Sequence, residues 1–311
     1  MALQFGRSAF IALGEESTYG TPVSTTVENR VFSVSMSRSQ ERERTTHLSQ
    51  SSAAFAVNTF DGFEIAGGTI ETPLTYKGLG MLIKAALGSA STSGGSAPYT
   101  HTYNPSATLP SLTIDVQRGT GSSEKFEGCM VSTMTISCEA GEEARASFEI
   151  IAETAATRAS ALSAPTFGDG AQVFHFQSSE LSFNSVNYKM RSLELTIDNK
   201  LERVNYLGSK LTSQPQISDV REVTLTATFD LEDNNLYTAQ LAGTSFDVVV
   251  TFTSGDDSFQ ITLRNAQITE YSDDVNAFGR IERTATFYGI SGTNEAVKIE
   301  IQNDNSSAIS N

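Results

Sequence analysis

The stretch Val223-Thr-Leu225-Thr-Ala227 alternates apolar and polar residues without a break. Successive side chains of a strand point to opposite faces, so this pattern sets one face on a core and the other in water. The same alternation recurs at Phe32-Ser-Val34-Ser-Met36, Leu112-Thr-Ile114-Asp-Val116, Leu193-Glu-Leu195-Thr-Ile197 and Phe259-Gln-Ile261-Thr-Leu263. Turn-rich stretches such as Arg118-Gly-Thr-Gly-Ser and Ser254-Gly-Asp-Asp-Ser separate the runs, and Thr, Val, Ile and Phe are plentiful. The chain reads as an all-β, antiparallel protein with minor helix.

Two stretches read as helices. In the first, Leu79, Leu82, Ile83, Ala86 and Leu87 follow i, i+3, i+4 spacing, with Gly88 placed to end it. Gly78 and Gly80 weaken that helix, so it depends on packing against a sheet. The second spans residues 233–242, with Leu236, Tyr237 and Leu241 as its apolar face and Gly243 after it.

Around these helices the order of elements repeats. Each follows an alternating strand and precedes another, and then comes a hairpin: Phe126-Glu-Gly-Cys-Met-Val in one half, Phe259 through Ile268 in the other. Both halves close on a glycine-containing turn and a strand, starting at Ala140-Gly and Phe278-Gly. Upstream, Gln40-Glu-Arg-Glu-Arg matches Asn199-Lys-Leu-Glu-Arg, each just after an alternating strand. Repetition in one fixed order points to a duplicated unit. The expected division is a first domain over 1–160, a linker over 161–172, a second domain over 173–302 and a polar tail over 303–311 that should fray.

Composition narrows the function. The chain has 311 residues and a formal charge of −15, from 36 acids and 21 bases. Cations are what displace phosphate counterions, so this balance argues against a conventional nucleic-acid binder. No apolar run reaches the roughly twenty residues of a membrane-spanning helix. Residues 1–13 lack the basic-then-apolar order of a signal peptide, and synthesis in the cytoplasm is the simple expectation.

No constellation carries chemistry. His47, His101 and His175 show no HxH or HExxH spacing. Cys129 and Cys138, nine apart, would face opposite sides of one continuous strand, so they read as reduced sheet residues. Gly119-Thr-Gly121 lacks the lysine of a phosphate loop and reads as a hairpin turn. Asp230-Leu-Glu-Asp-Asn-Asn lacks the glycine and terminal glutamate of a calcium loop. The pairs Asp256-Asp257 and Asp273-Asp274 fall in expected turns, and no serine sits in a GxSxG elbow. The expectation is a non-enzyme with no cofactor and no metal.

Two long, mixed-charge segments stand out, residues 37–62 and 198–220, at the same place in each repeat. They are expected to be arms that order against another subunit. Glu41, Arg42, Glu43, Arg44, Lys200, Glu202 and Arg203 are the candidate contacts, with Arg42, Arg44 and Arg203 meeting carboxylates.

At this point the sequence resembles the tail tube proteins (major tail proteins) of long-tailed bacteriophages. Leu13-Gly-Glu-Glu-Ser-Thr-Tyr-Gly-Thr-Pro-Val23, Ala66-Gly-Gly-Thr-Ile-Glu-Thr-Pro-Leu-Thr-Tyr76 and Lys125-Phe-Glu-Gly-Cys-Met-Val131 carry the likeness. The resemblance implies a β-sandwich or barrel with a flanking helix and a long arm. It also implies rings that stack into a hollow tail tube of the virion, through which DNA passes without specific binding. Partners implied are further copies of the chain and the tape measure, terminator and distal tail proteins. With two tube domains per chain, three chains would complete a pseudo-hexameric ring. A conduit for DNA should repel phosphate, which makes the strand acids Asp115, Glu127, Glu194, Asp247 and Glu282 candidates to face the lumen. The alternative is a β-rich surface adhesin or receptor-binding module.

Overall fold

A computed structural model of the chain describes residues 6–44, 58–156, 159–167, 173–183, 186–230, 234–274, 282–292 and 295–309. The first half opens with β1 (Phe10–Glu15), β2 (Val27–Asn29), β3 (Ser33–Val34), β4 (Ser37–Arg44) and the long β5 (Thr59–Pro73). Helix α1 (Gly80–Leu87) leads into the hairpin β6 (Gly88–Ser93) and β7 (Tyr99–Pro105). Next come β8 (Leu112–Arg118), β9 (Ser122–Glu139), β10 (Arg145–Ala152) and the short β11 (Thr154–Ala155) and β12 (Ala159–Ser160). The second half runs β13 (Ser179–Phe183), β14 (Val186–Tyr188), β15 (Met190–Asp198), β16 (Leu201–Val204), β17 (Ser213–Ile217) and β18 (Glu222–Asp230). It ends with α2 (Asn235–Ala242), β19 (Phe246–Ser254), β20 (Asp257–Asp274), β21 (Glu282–Tyr288) and β22 (Val297–Asn303). All pairings are antiparallel, as the alternation predicts.

One sheet runs through both halves in the order β4–β5–β10–β9–β15–β18–β21–β20, with β3 beside β4 on the edge of β5. Its inner face is apolar: Ile70, Phe148, Ile136, Leu195, Leu225 and Phe287 are buried. Two further sheets cover that face. In the first half β2–β1–β8 continue onto the start of β9. In the second, β6–β7–β22 continue onto the start of β20, then β19 and β13.

The long strands β9 and β20 each belong to two sheets, and bulges let them turn. β9 takes an extra residue opposite Leu112–Ile114 and another opposite Glu149–Ile150. β20 does the same opposite Phe246–Val248 and between Ile268 and Glu270. At the first bulge Gly128 has φ +63° and Asn265 has φ +47°, the left-handed conformation that glycine and asparagine tolerate best. Aligned on these bulges, residue n of β9 corresponds to residue n + 137 of β20.

Each helix has the same length, and each ends on a left-handed glycine, Gly88 or Gly243. The second helix begins at Asn235; Asp233, its expected start, lies outside the described residues.

Two expectations are corrected. Cys129 and Cys138 are both buried and unpaired on the core side, because the bulge at Ser132 shifts the alternation between them by one residue. Residues 303–309 do not fray. Asn303 Nδ2 donates to Tyr76 O, Lys77 pairs with Asp304 at 2.6 Å, and the Tyr103 hydroxyl donates to Ala308 O at 2.6 Å. Phe174, fully buried, packs between Tyr76 of the first half and Phe252 and Phe259 of the second; residues 168–172 of the expected linker lie outside the described residues.

Candidate functional site

The feature that joins the halves is the β9–β15 junction. Seven consecutive pairs run from Glu139↔Ser192 to Thr133↔Asp198. Behind it, α1 is sealed by the second half. Asn199, wholly buried, donates to Ala86 O and Val131 O, both at 2.9 Å. Arg221 donates to Ser106 O at 2.9 Å and to Ala86 O at 3.2 Å, and burial lowers its pKa. Both groups reach Ala86 O, a carbonyl in the last turn of α1 that no helical N–H reaches.

The face of this sheet turned away from the core is a field of hydroxyls and acids. Thr69, Thr135, Thr196, Thr226 and Thr286 line it, and cross-strand pairs join Thr226 to Thr286 at 3.2 Å and Thr228 to Thr284 at 3.1 Å. Its cations are spent on neighbouring acids: Arg145 on Glu71 at 3.1 Å, and Arg191 on Asp230 at 2.9 Å and Glu282 at 2.8 Å. Glu149 and Glu194 are exposed there and have no ion pair among the described residues.

A sequence model of the phage tail tube protein family matches residues 6–299, nearly the whole chain. The chain belongs to that family. No curated protein matches it. The family is a structural one, a component of the virion tail. Among the described residues, no group of three or more His, Cys, Asp or Glu is placed to hold a metal, and no helix is long and apolar enough to cross a membrane.

The arm residues of this tail tube chain fall on two hairpins. Glu41, Arg42, Glu43 and Arg44 lie on β4, exposed, against the start of β5; residues 45–57, the rest of that arm, lie outside the described residues. Arg42 reaches Asp61 at 3.8 Å with both side chains exposed, a pair that contributes about 0–1 kcal/mol. Lys200, in a left-handed turn (φ +51°), bonds Asp198 at 2.8 Å and Glu222 at 2.9 Å, and these partners raise its pKa. Glu202 is exposed on β16.

Arg203 departs from the expected carboxylate contact. Its guanidinium donates to Ala66 O, to Ala152 O at 3.3 Å and to Thr212 Oγ1 at 3.3 Å. The second arm is thereby pinned to main-chain carbonyls of the first half of the same chain. Gly67 makes room: a Cβ there would lie 2.2 Å from Ile150 O and 3.3 Å from the Arg203 guanidinium.

The acids proposed for a lumen do not share a face. Glu194 and Glu282 lie on the through-sheet. Glu127 lies on the β8-paired part of β9, and Asp247 on β19, where it accepts the Asn265 N–H. Asp115 is 3% exposed, accepting from Thr25 at 2.9 Å, with Lys125 3.6 Å away. Alternation fails there because β8 is covered on both faces.

Sequence reasoning passed over Asn199, Arg221 and Glu16. The Glu16 carboxylate accepts from Gly20 N, Ser111 Oγ, Thr113 Oγ1 and Gly128 N. Nearby Glu127 and Glu153 have raised pKa values, first through burial and then through the Glu16 charge. Tyr19, beside them, donates to Thr212 O and Ser213 O of the second arm. The signal for Glu16 was its place in the Leu13–Val23 motif.

Proposed function

We propose that the chain is the repeating subunit of a phage tail tube, assembling into rings that stack around a lumen. The observation that carries this reading is the through-sheet, whose outermost strands, β3–β4 at one side and the second part of β20 at the other, pair with no further strand among the described residues. Unpaired edges invite strand addition, and a head-to-tail contact between different edges closes into a ring.

The two halves are taken as duplicate tube domains, so three chains supply six domains per ring. The hydroxyl- and acid-bearing face of the through-sheet would line the lumen, with Glu149 and Glu194 among its free charges. Among the described residues the cations of this lining, Arg145 and Arg191, are paired with acids, and the chain's −15 charge disfavours phosphate. The arms would bridge successive rings. Tape measure, terminator and distal tail proteins are the neighbours this role requires.

Negative-stain microscopy of the purified chain tests the reading. Rings or tubes with a central hole are expected. Single particles across all concentrations and salts would overturn it.

A further inference from the structure

Among the described residues, the β9–β15 junction has two counterparts on the same chain, the β20 and β3–β4 edges, that pair with no further strand. Resting on the ring reading above, we propose that β20 of one copy pairs with β3–β4 of a second copy in the register of β9 with β15. Glu270 would then oppose Ser39, Tyr271 Arg38, Ser272 Ser37, Asp273 Met36 and Asp274 Ser35.

The register comes from two alignments. Residues of β9 and β20 correspond at n + 137, fixed by the shared bulges, so Thr133 matches Glu270 and Ser137 matches Asp274. On the receiving side, Ser33 and Val34 pair with Glu71 and Ile70 of β5, as Ser192 and Leu193 pair with Thr228 and Ala227 of β18. That sets n + 159, with no gap from Ser33 to Arg44, and matches Gln40 to Asn199 and Arg44 to Arg203.

Both edges leave apolar surface uncovered. At the β3 edge a groove of about 360 Å³ stays open, walled by Val31, Phe32, Val34 and Val116. At the β20 edge, α2 leaves Tyr237 47% and Leu241 70% exposed.

The hydrogen-bond phase follows. Ser35 N–H donates to Thr69 O, which turns the N–H and C=O of Val34, Met36 and Arg38 away from β5 toward the open side. The Met36 carbonyl is held by the Arg118 guanidinium in the single chain. An arriving strand takes that carbonyl, and Arg118 turns aside. Gln40, bonded to Gly62 O of its own arm, is placed as Asn199 is to reach the carbonyls of Leu241 and Ile268 in the neighbour.

Disulfide trapping in the full-length chain tests the register. Asn199 N–H donates to Ser132 O and Ala140 N–H to Arg191 O, so Thr135 and Thr196 form a non-hydrogen-bonded pair whose side chains lie close. Ser37 and Ser272 are the corresponding pair between copies. The double variant Ser37→Cys/Ser272→Cys should give covalently linked chains on oxidation, reversed by reductant. Ser35→Cys/Ser272→Cys, two residues out of step, should not. Thr135→Cys/Thr196→Cys reports the closed junction and should cross-link within one chain. Rings in the microscope with no Ser37–Ser272 link, while Thr135–Thr196 links, would overturn the register and leave the ring reading standing. Wild-type chains that form no ring would overturn both.

Discussion

Helices α1 and α2 are the same device in different settings. Both have eight residues, follow a strand of the through-sheet, and stop on a left-handed glycine. In α1 only Lys84 escapes burial, and it binds Glu15 at 2.6 Å; in α2 only Leu236 is buried. The sequences anticipate this, since Gly80-Met-Leu-Ile-Lys-Ala-Ala-Leu87 is apolar nearly all round and α2 places Thr238 and Gln240 among its apolar residues. What differs is the neighbour. Helix α1 packs among β1, β6, β7 and β9 and is closed at its end by Asn199 and Arg221, and no segment among the described residues covers α2 to the same degree.

That contrast can be broken by substitution. Leu82→Ala in α1 removes a fully buried side chain and should cost about 2–5 kcal/mol in denaturant unfolding. Leu241→Ala in α2 should change single-chain stability by less than about 0.5 kcal/mol, because the side chain is exposed. Equal losses at the two sites would remove the distinction between closed and open junctions.

A finer version compares Asn199 with Gln40. Asn199→Ala leaves buried carbonyls without donors and should cost about 1–3 kcal/mol. Gln40→Ala should leave the melting temperature of the single chain unchanged while raising the concentration needed for assembly. A melting loss at Gln40 as large as at Asn199 would contradict its role as a contact between copies.

The smallest effect concerns pH at the root of the second arm. Burial and the Glu16 charge raise the pKa of Glu127 and Glu153, so these groups take up protons more readily folded than unfolded. Their contribution to stability is complete below the ordinary carboxylate pKa and is lost as pH rises through the raised values. Thermal melts at descending pH should therefore gain less in Glu153→Gln than in the parent. An identical pH profile in the two proteins would show that Glu153 does not take part.

The strands and both helices were legible because alternation and glycine stops are local signals. Cys138 was misplaced because the bulge at Ser132 has no sequence mark, and one extra residue reverses every later side chain. Asp115 was misplaced because alternation presumes a single covered face, and β8 has two. Arg203 was found by its motif, but its acceptors are backbone carbonyls, which every residue carries and no sequence singles out. The β9–β15 pairing, between residues far apart in the chain, left no trace in either strand.

The central claim, that one chain carries two domain positions of a closed ring, is tested most directly by counting chains in an isolated ring. Native mass measurement paired with rotational averaging of ring images should give three chains and six similar lobes. Six chains per ring, or rings without six-lobed density, would contradict the account.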